Sequence, residues 1–85
     1  MFTLQHAVNG ISQLEQPYHD RDDACRKANE LLGQRKAMAS RLGVPPSQCS
    51  IEFKILGDDG TQLNHDEIIN EIRRRPELRQ PPKWR

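Results

Sequence analysis

Apolar and polar positions alternate along this chain in two rhythms. From Phe2 to Val8 the spacing is two: Phe2, Leu4, His6 and Val8 fall on one side of an extended strand, and Thr3, Gln5 and Ala7 on the other. Asn9-Gly10 follows, and an apolar position returns at Ile11. Asn-Gly is the strongest short hairpin signal, because a type I′ turn needs positive φ at both central residues. A strict two-residue turn sets Ile11 beside Val8 but sends Leu14 to the other face, a slip that a bulge or a longer loop repairs. A helical reading is open for the same stretch. Leu4, Val8, Ile11 and Leu14 or Glu15 also form a stripe, with Gly10 in its middle costing about 1 kcal/mol against Ala. Pro17-Tyr18-His19 is expected to break the pattern.

The rhythm then becomes helical. Ala24, Ala28, Leu31, Met38 and Leu42 make one stripe, with Asp20 or Asp22 as the cap and acidic residues in the first turn. Arg35 occupies the stripe where an apolar residue is due, next to Gly33, so a kink or break is expected there. Gly43 ends the helix, and Pro45-Pro46 forbids its continuation. Cys49, Ile51, Phe53 and Ile55 alternate with Ser50, Glu52 and Lys54, the cleanest strand pattern in the chain. Gly57 to Gly60 reads as a turn, and Thr61-Gln62-Leu63 as a short return strand. The last helix has the best-marked start. Asn64 is its cap, Glu67 completes a capping box, and Leu63 and Ile68 are spaced as a hydrophobic staple. Ile68, Ile69 and Ile72 form its buried stripe, and Pro76 stops it.

The order ββαββα predicts an α+β domain of two layers: a small, mostly antiparallel sheet with two helices on one face. Residues 1–76 make the domain and residues 77–85 a basic tail with Pro81-Pro82 and Trp84. The opposite sheet face carries Thr3, Gln5, Glu52 and Lys54, an open polar face with an exposed edge if nothing covers it.

Composition narrows the function. Eighty-five residues hold one core, and 34% hydrophobic residues leave little room for a deep cleft. No apolar run is long enough for a membrane span or a secretion signal. Two cysteines, Cys25 and Cys49, read as reduced thiols in a cytoplasmic protein. With His6, His19 and His65 they show no metal-ligand spacing, and no phosphate loop or acid–base pair occurs. Asp58-Asp59 lacks the distal Glu of a calcium loop. The expectation is a non-enzyme without metal or cofactor.

Net charge is only +1, but it is unevenly spread. Residues 1–72 hold 7 Lys+Arg and 11 Asp+Glu, a net of −4; residues 73–85 hold 6 and 1, a net of +5. Arg73, Arg74, Arg75, Arg79, Lys83, Trp84 and Arg85 are therefore the candidate partner-binding residues. Three uses suit them: folding back onto the acidic body, contacting phosphates with Trp84 stacked on a base, or anchoring a protein partner. Arg26, Lys27, Arg35, Lys36 and Arg41 form a second basic set that does not make one stripe on its helix.

Leu4 to Gly10, followed by Asp22-Asp23-Ala24 and a helix, resembles the hairpin-then-helix layout of small accessory proteins of phages and other mobile elements. The resemblance implies a regulator or inhibitor that occupies a surface of another protein. Together these readings predict a small protein-binding module, monomeric or weakly dimeric and not associated with membranes. A nucleic-acid-binding protein working through the basic arm and basic helix is the alternative.

Overall fold

Asn9 and Gly10 both take positive φ, 52° and 81°, so the first strand turns back at the Asn-Gly pair. In this computed structural model, which describes residues 1–80, β1 (Phe2–Val8) pairs with β2 (Ile11–Ser12) at Val8↔Ile11 and Ala7↔Ser12. Farther from the turn, β1 pairs with β3 (Gln16–Tyr18) at Leu4↔Gln16, Thr3↔Pro17 and Phe2↔Tyr18. The register has slipped by one residue, so a bulge over residues 13–15 carries the extra one. The hairpin reading holds and the helical one does not.

Pro17 does not break the strand. The Gln13 N–H donates to the His6 carbonyl at 2.9 Å, which fixes His6, and by alternation Leu4 and Phe2, as the residues whose backbone groups face the returning chain. Thr3↔Pro17 is then a pair without ladder hydrogen bonds. The nitrogen of Pro17 points away from β1 on an edge strand, where a missing donor costs nothing.

β4 (Ile51–Gly57) lies antiparallel on the other side of β1 and pairs with all seven of its residues, from Phe2↔Gly57 to Val8↔Ile51. Ile51, Phe53 and Ile55 point inward and are buried, whereas Glu52 and Lys54 are exposed. β5 (Gln62–Leu63) adds a short strand beside Ile55 and Leu56. The sheet order is β2-β1-β4-β5, with β3 continuing beside β1, and every pairing is antiparallel.

The helices cover the inner face. α1 (Arg21–Gly33) is capped by Asp20, whose side chain accepts from the Asp23 N–H at 2.7 Å. Ala24, Cys25 and Ala28 are buried, small side chains that let the helix approach the sheet closely. The expected break divides this helix: α2 (Arg35–Leu42) starts two residues after Gly33 and ends at Gly43, with φ 70°. Arg35 interrupts the apolar stripe because its Nε donates to the Cys49 carbonyl at 2.7 Å, tying α2 to the lead into β4. α3 (His65–Arg74) carries the predicted capping box and buries Ile68 and Ile72. A 3₁₀ turn, Pro76–Arg79, then lies against α1 with Leu78 fully buried. The packed body thus runs past residue 76, and residues 77–79 are folded onto it. The result is the expected two-layer α+β architecture, with Leu4, Phe53, Ile55, Ala24, Ile68 and Leu78 at its centre.

Candidate functional site

Of the four described basic residues predicted to meet a partner, three are engaged within the body. Arg75, at the end of α3, grips Asp22 of α1 with two parallel bonds, Nη1–Oδ1 at 3.0 Å and Nη2–Oδ2 at 2.8 Å. Its Nε reaches Glu77 at 2.9 Å, and Glu71 stands 3.7 Å from Nη1. A guanidinium fork matches a carboxylate in this way, and the Arg75 bonds hold the Asp22 carboxyl below its usual range. Arg79 folds back on the end of α3, donating from Nη2 to the Arg73 carbonyl at 2.8 Å and from Nε to the Ile72 carbonyl at 3.3 Å. It thereby satisfies carbonyls that a helix end leaves open. Arg74 pairs with Glu71. Arg73 is exposed, and its guanidinium has no ion-pair or hydrogen-bond partner among the described residues. Lys83, Trp84 and Arg85 lie outside the described residues.

The open sheet face has more shape. A shallow depression of about 480 Å³ crosses β1 and β4. Gln13 and Glu15 bound it at one end, Asn64 and His65 at the other, and Gln5, Glu52 and Lys54 floor it. Gln5 is steadied there by a 2.8 Å bond from its side-chain amide to Glu15. At the far edge His65 does the work of a strand. β5 covers only Ile55 and Leu56 of β4, and the Phe53 N–H beyond it donates to His65 Nδ1 at 3.2 Å. That nitrogen is the acceptor, and the imidazole stacks on the Phe53 ring with centroids 5.7 Å apart.

Beside this face, the returning half of the hairpin exposes two large apolar side chains, Ile11 at 68% and Leu14 at 82%. They sit on the outer edge of the sheet, whose outward backbone groups have no strand partner among the described residues. Sequence reasoning did not place these two among the site residues. The signal was the phase slip at Leu14: the bulge restores the ladder at Gln16, and Leu14 within it stays exposed.

The reactive side chains do not converge. Cys25 and Cys49 are free and buried, and burial pushes the Cys25 thiol up to about 11, so it is not a nucleophile at neutral pH. His6 is held below its usual value, first by burial and then by Lys27, and its Nδ1 is buried without a hydrogen-bond partner. Asp23 is wholly buried and paired through one oxygen with Arg26 at 2.7 Å. Among the described residues no three His, Cys, Asp or Glu side chains gather where they would hold a metal ion, and no helix is long and apolar enough to cross a membrane. The chain matches no protein-family model, no curated protein and no solved structure.

Proposed function

We propose that this protein is a non-catalytic binding module that docks on a partner protein through the hairpin edge of its sheet. The observation that carries the reading is the exposure of Ile11 and Leu14 on a strand edge that is unpaired among the described residues, next to a sheet face that none of the described helices covers. An extended segment of the partner adds to the edge through main-chain hydrogen bonds, and the two apolar side chains fill pockets on it. Gln13, Glu15 and the polar floor at Glu52 and Lys54 then form a wet rim that contributes specificity more than affinity. Such a protein regulates or inhibits by occupying a surface. Arg73, with Lys83, Trp84 and Arg85, supplies a second contact. The internal engagement of Arg74, Arg75 and Arg79 supports a protein partner over a nucleic acid, because it leaves few of the clustered cations for phosphates.

Capture from the source cells, with and without nuclease, tests the reading. The wild type should retain a protein partner after nuclease treatment, and an Ile11→Asp/Leu14→Asp variant should lose it while melting at the same temperature. Retention unchanged by the double substitution, or a partner released by nuclease, would falsify the edge-docking function.

A further inference from the structure

We propose that Asn9-Gly10 is a masked site of spontaneous deamidation, closed while the hairpin is folded and open to chemistry when its tip unpairs. In an Asn-Gly pair the backbone nitrogen of the glycine can attack the side-chain carboxamide carbon of the asparagine. A bond forms between the Gly10 nitrogen and Asn9 Cγ, the Cγ–Nδ2 bond breaks, and ammonia leaves with the proton of the Gly10 amide. The five-membered imide takes up one water. Opening at Cγ gives aspartate, and opening at the backbone carbonyl gives isoaspartate. Glycine favours the attack because it has no Cβ to crowd it, and the rest of the fold leaves the space around Gly10 open. Asn9 and Gly10 are both exposed, so water is at hand.

The fold prevents that approach in two ways. Asn9 has φ 52° in a two-residue turn, the left-handed conformation in which ψ is about +30 to +60°. At that rotation the Gly10 nitrogen lies on the opposite side of the Cα–C bond from Asn9 Cβ, whereas ring closure needs the two nearly eclipsed. The carboxamide is also clamped to the chain entering β4. Its Oδ1 accepts from the Ser50 N–H at 2.9 Å and the Ser50 hydroxyl at 3.4 Å, and the Asn9 N–H donates to the Ser50 carbonyl at 2.9 Å. Reaction therefore requires both the turn and the Ser50 clamp to open, a local event at the end of the sheet.

The product closes the way back. Isoaspartate routes the main chain through Cβ and lengthens it by one atom. A two-residue type I′ turn holding Val8↔Ile11 and Ala7↔Ser12 has no room for that atom. Asn29, Asn64 and Asn70 are followed by Glu30, His65 and Glu71, whose side chains hinder the same attack, so they act as internal controls.

The test incubates the full chain at mildly alkaline pH, native and across a urea series, and follows each asparagine by peptide mapping and isoaspartate detection. Asn9 should react in the unfolded chain and roughly tenfold or more slowly in the native one, with the native rate rising as urea opens the hairpin. In denaturant, Gly10→Ala should slow the reaction, because a Cβ then crowds the attacking nitrogen; this comparison does not depend on folding. Equal rates at Asn9 in native and unfolded protein would overturn the proposal. So would an unfolded chain in which Asn9 reacts no faster than Asn29, Asn64 and Asn70.

Discussion

At the residue scale, two side chains give the protein a calculable response to acid. Burial and Lys27 hold His6 below its ordinary 6.5, so at lower pH the unfolded chain takes up a proton that the folded one resists. Stability should begin to fall as the pH drops through 6.5, and His6→Leu should flatten that part of a melting-temperature profile. Asp22 has the opposite charge and a different window. Its folded value lies below the ordinary 3.8, so the Arg75 fork stabilises the fold above that pH. That contribution disappears as acid protonates the carboxylate in the folded state. Asp22→Asn should therefore lower the melting temperature at neutral pH and converge with wild type in strong acid. A constant gap between the two curves would show that the effect is packing rather than charge.

At the element scale, the ends of helices matter as much as their faces. α3 starts with reciprocal bonds: the Glu67 N–H donates to Asn64 Oδ1 at 2.9 Å, and the Asn64 N–H to Glu67 Oε1 at 3.3 Å. Asn64→Ala removes the cap and should cost about 1 kcal/mol in urea unfolding. The other end of α3 is held by residues that follow it. Arg79 closes the last carbonyls, and Leu78 drops into the core between α1 and α3. Leu78→Ala should cost roughly 2–5 kcal/mol, as for other fully buried leucines. A loss under 1 kcal/mol would mean that the 3₁₀ turn is a loosely attached strap. Arg26 adds to this docking, since it joins Asp23 to the Glu77 carbonyl.

At the scale of the whole molecule, one layer of helices covers one face of one sheet. α1 touches β1, β3, β4, α2, α3 and the final 3₁₀ turn, so no part of the core can be removed without exposing it. Unfolding should be a single transition. Cys25 and Cys49 are built-in reporters, since both are buried and the Cys25 thiol is held near 11. Alkylation in urea should follow the loss of circular dichroism point for point, and a thiol that reacts well before it would reveal a separately opening segment. The same one-sided packing leaves the outer sheet face and the hairpin edge uncovered by any of the described residues. The proposed docking surface is thus a consequence of having too few helices to cover two faces.

Much of this protein is written in local pattern. The alternation around Phe53, the Asn9-Gly10 turn, the Gly43 stop and the Asn64 capping box each depend on residues within a few positions of one another, so the sequence alone determines the α+β class and most of the elements; it missed β3, where Pro17 read as a break. It also showed the break near Gly33. It did not show what the polar residues were for. Arg75 and Asp22 are 53 residues apart in the chain, and Arg35 and Cys49 are 14. A cation read as an arm for a partner became an internal tie once folding brought an acid to it. Leu14 went the other way: its apolar side chain suggested burial, and it stands exposed in the bulge instead. Periodicity records which face a residue occupies within its own element. Whether that face meets a helix, an opposite charge or water is decided by chain segments far away in sequence, and only the tertiary structure brings them together.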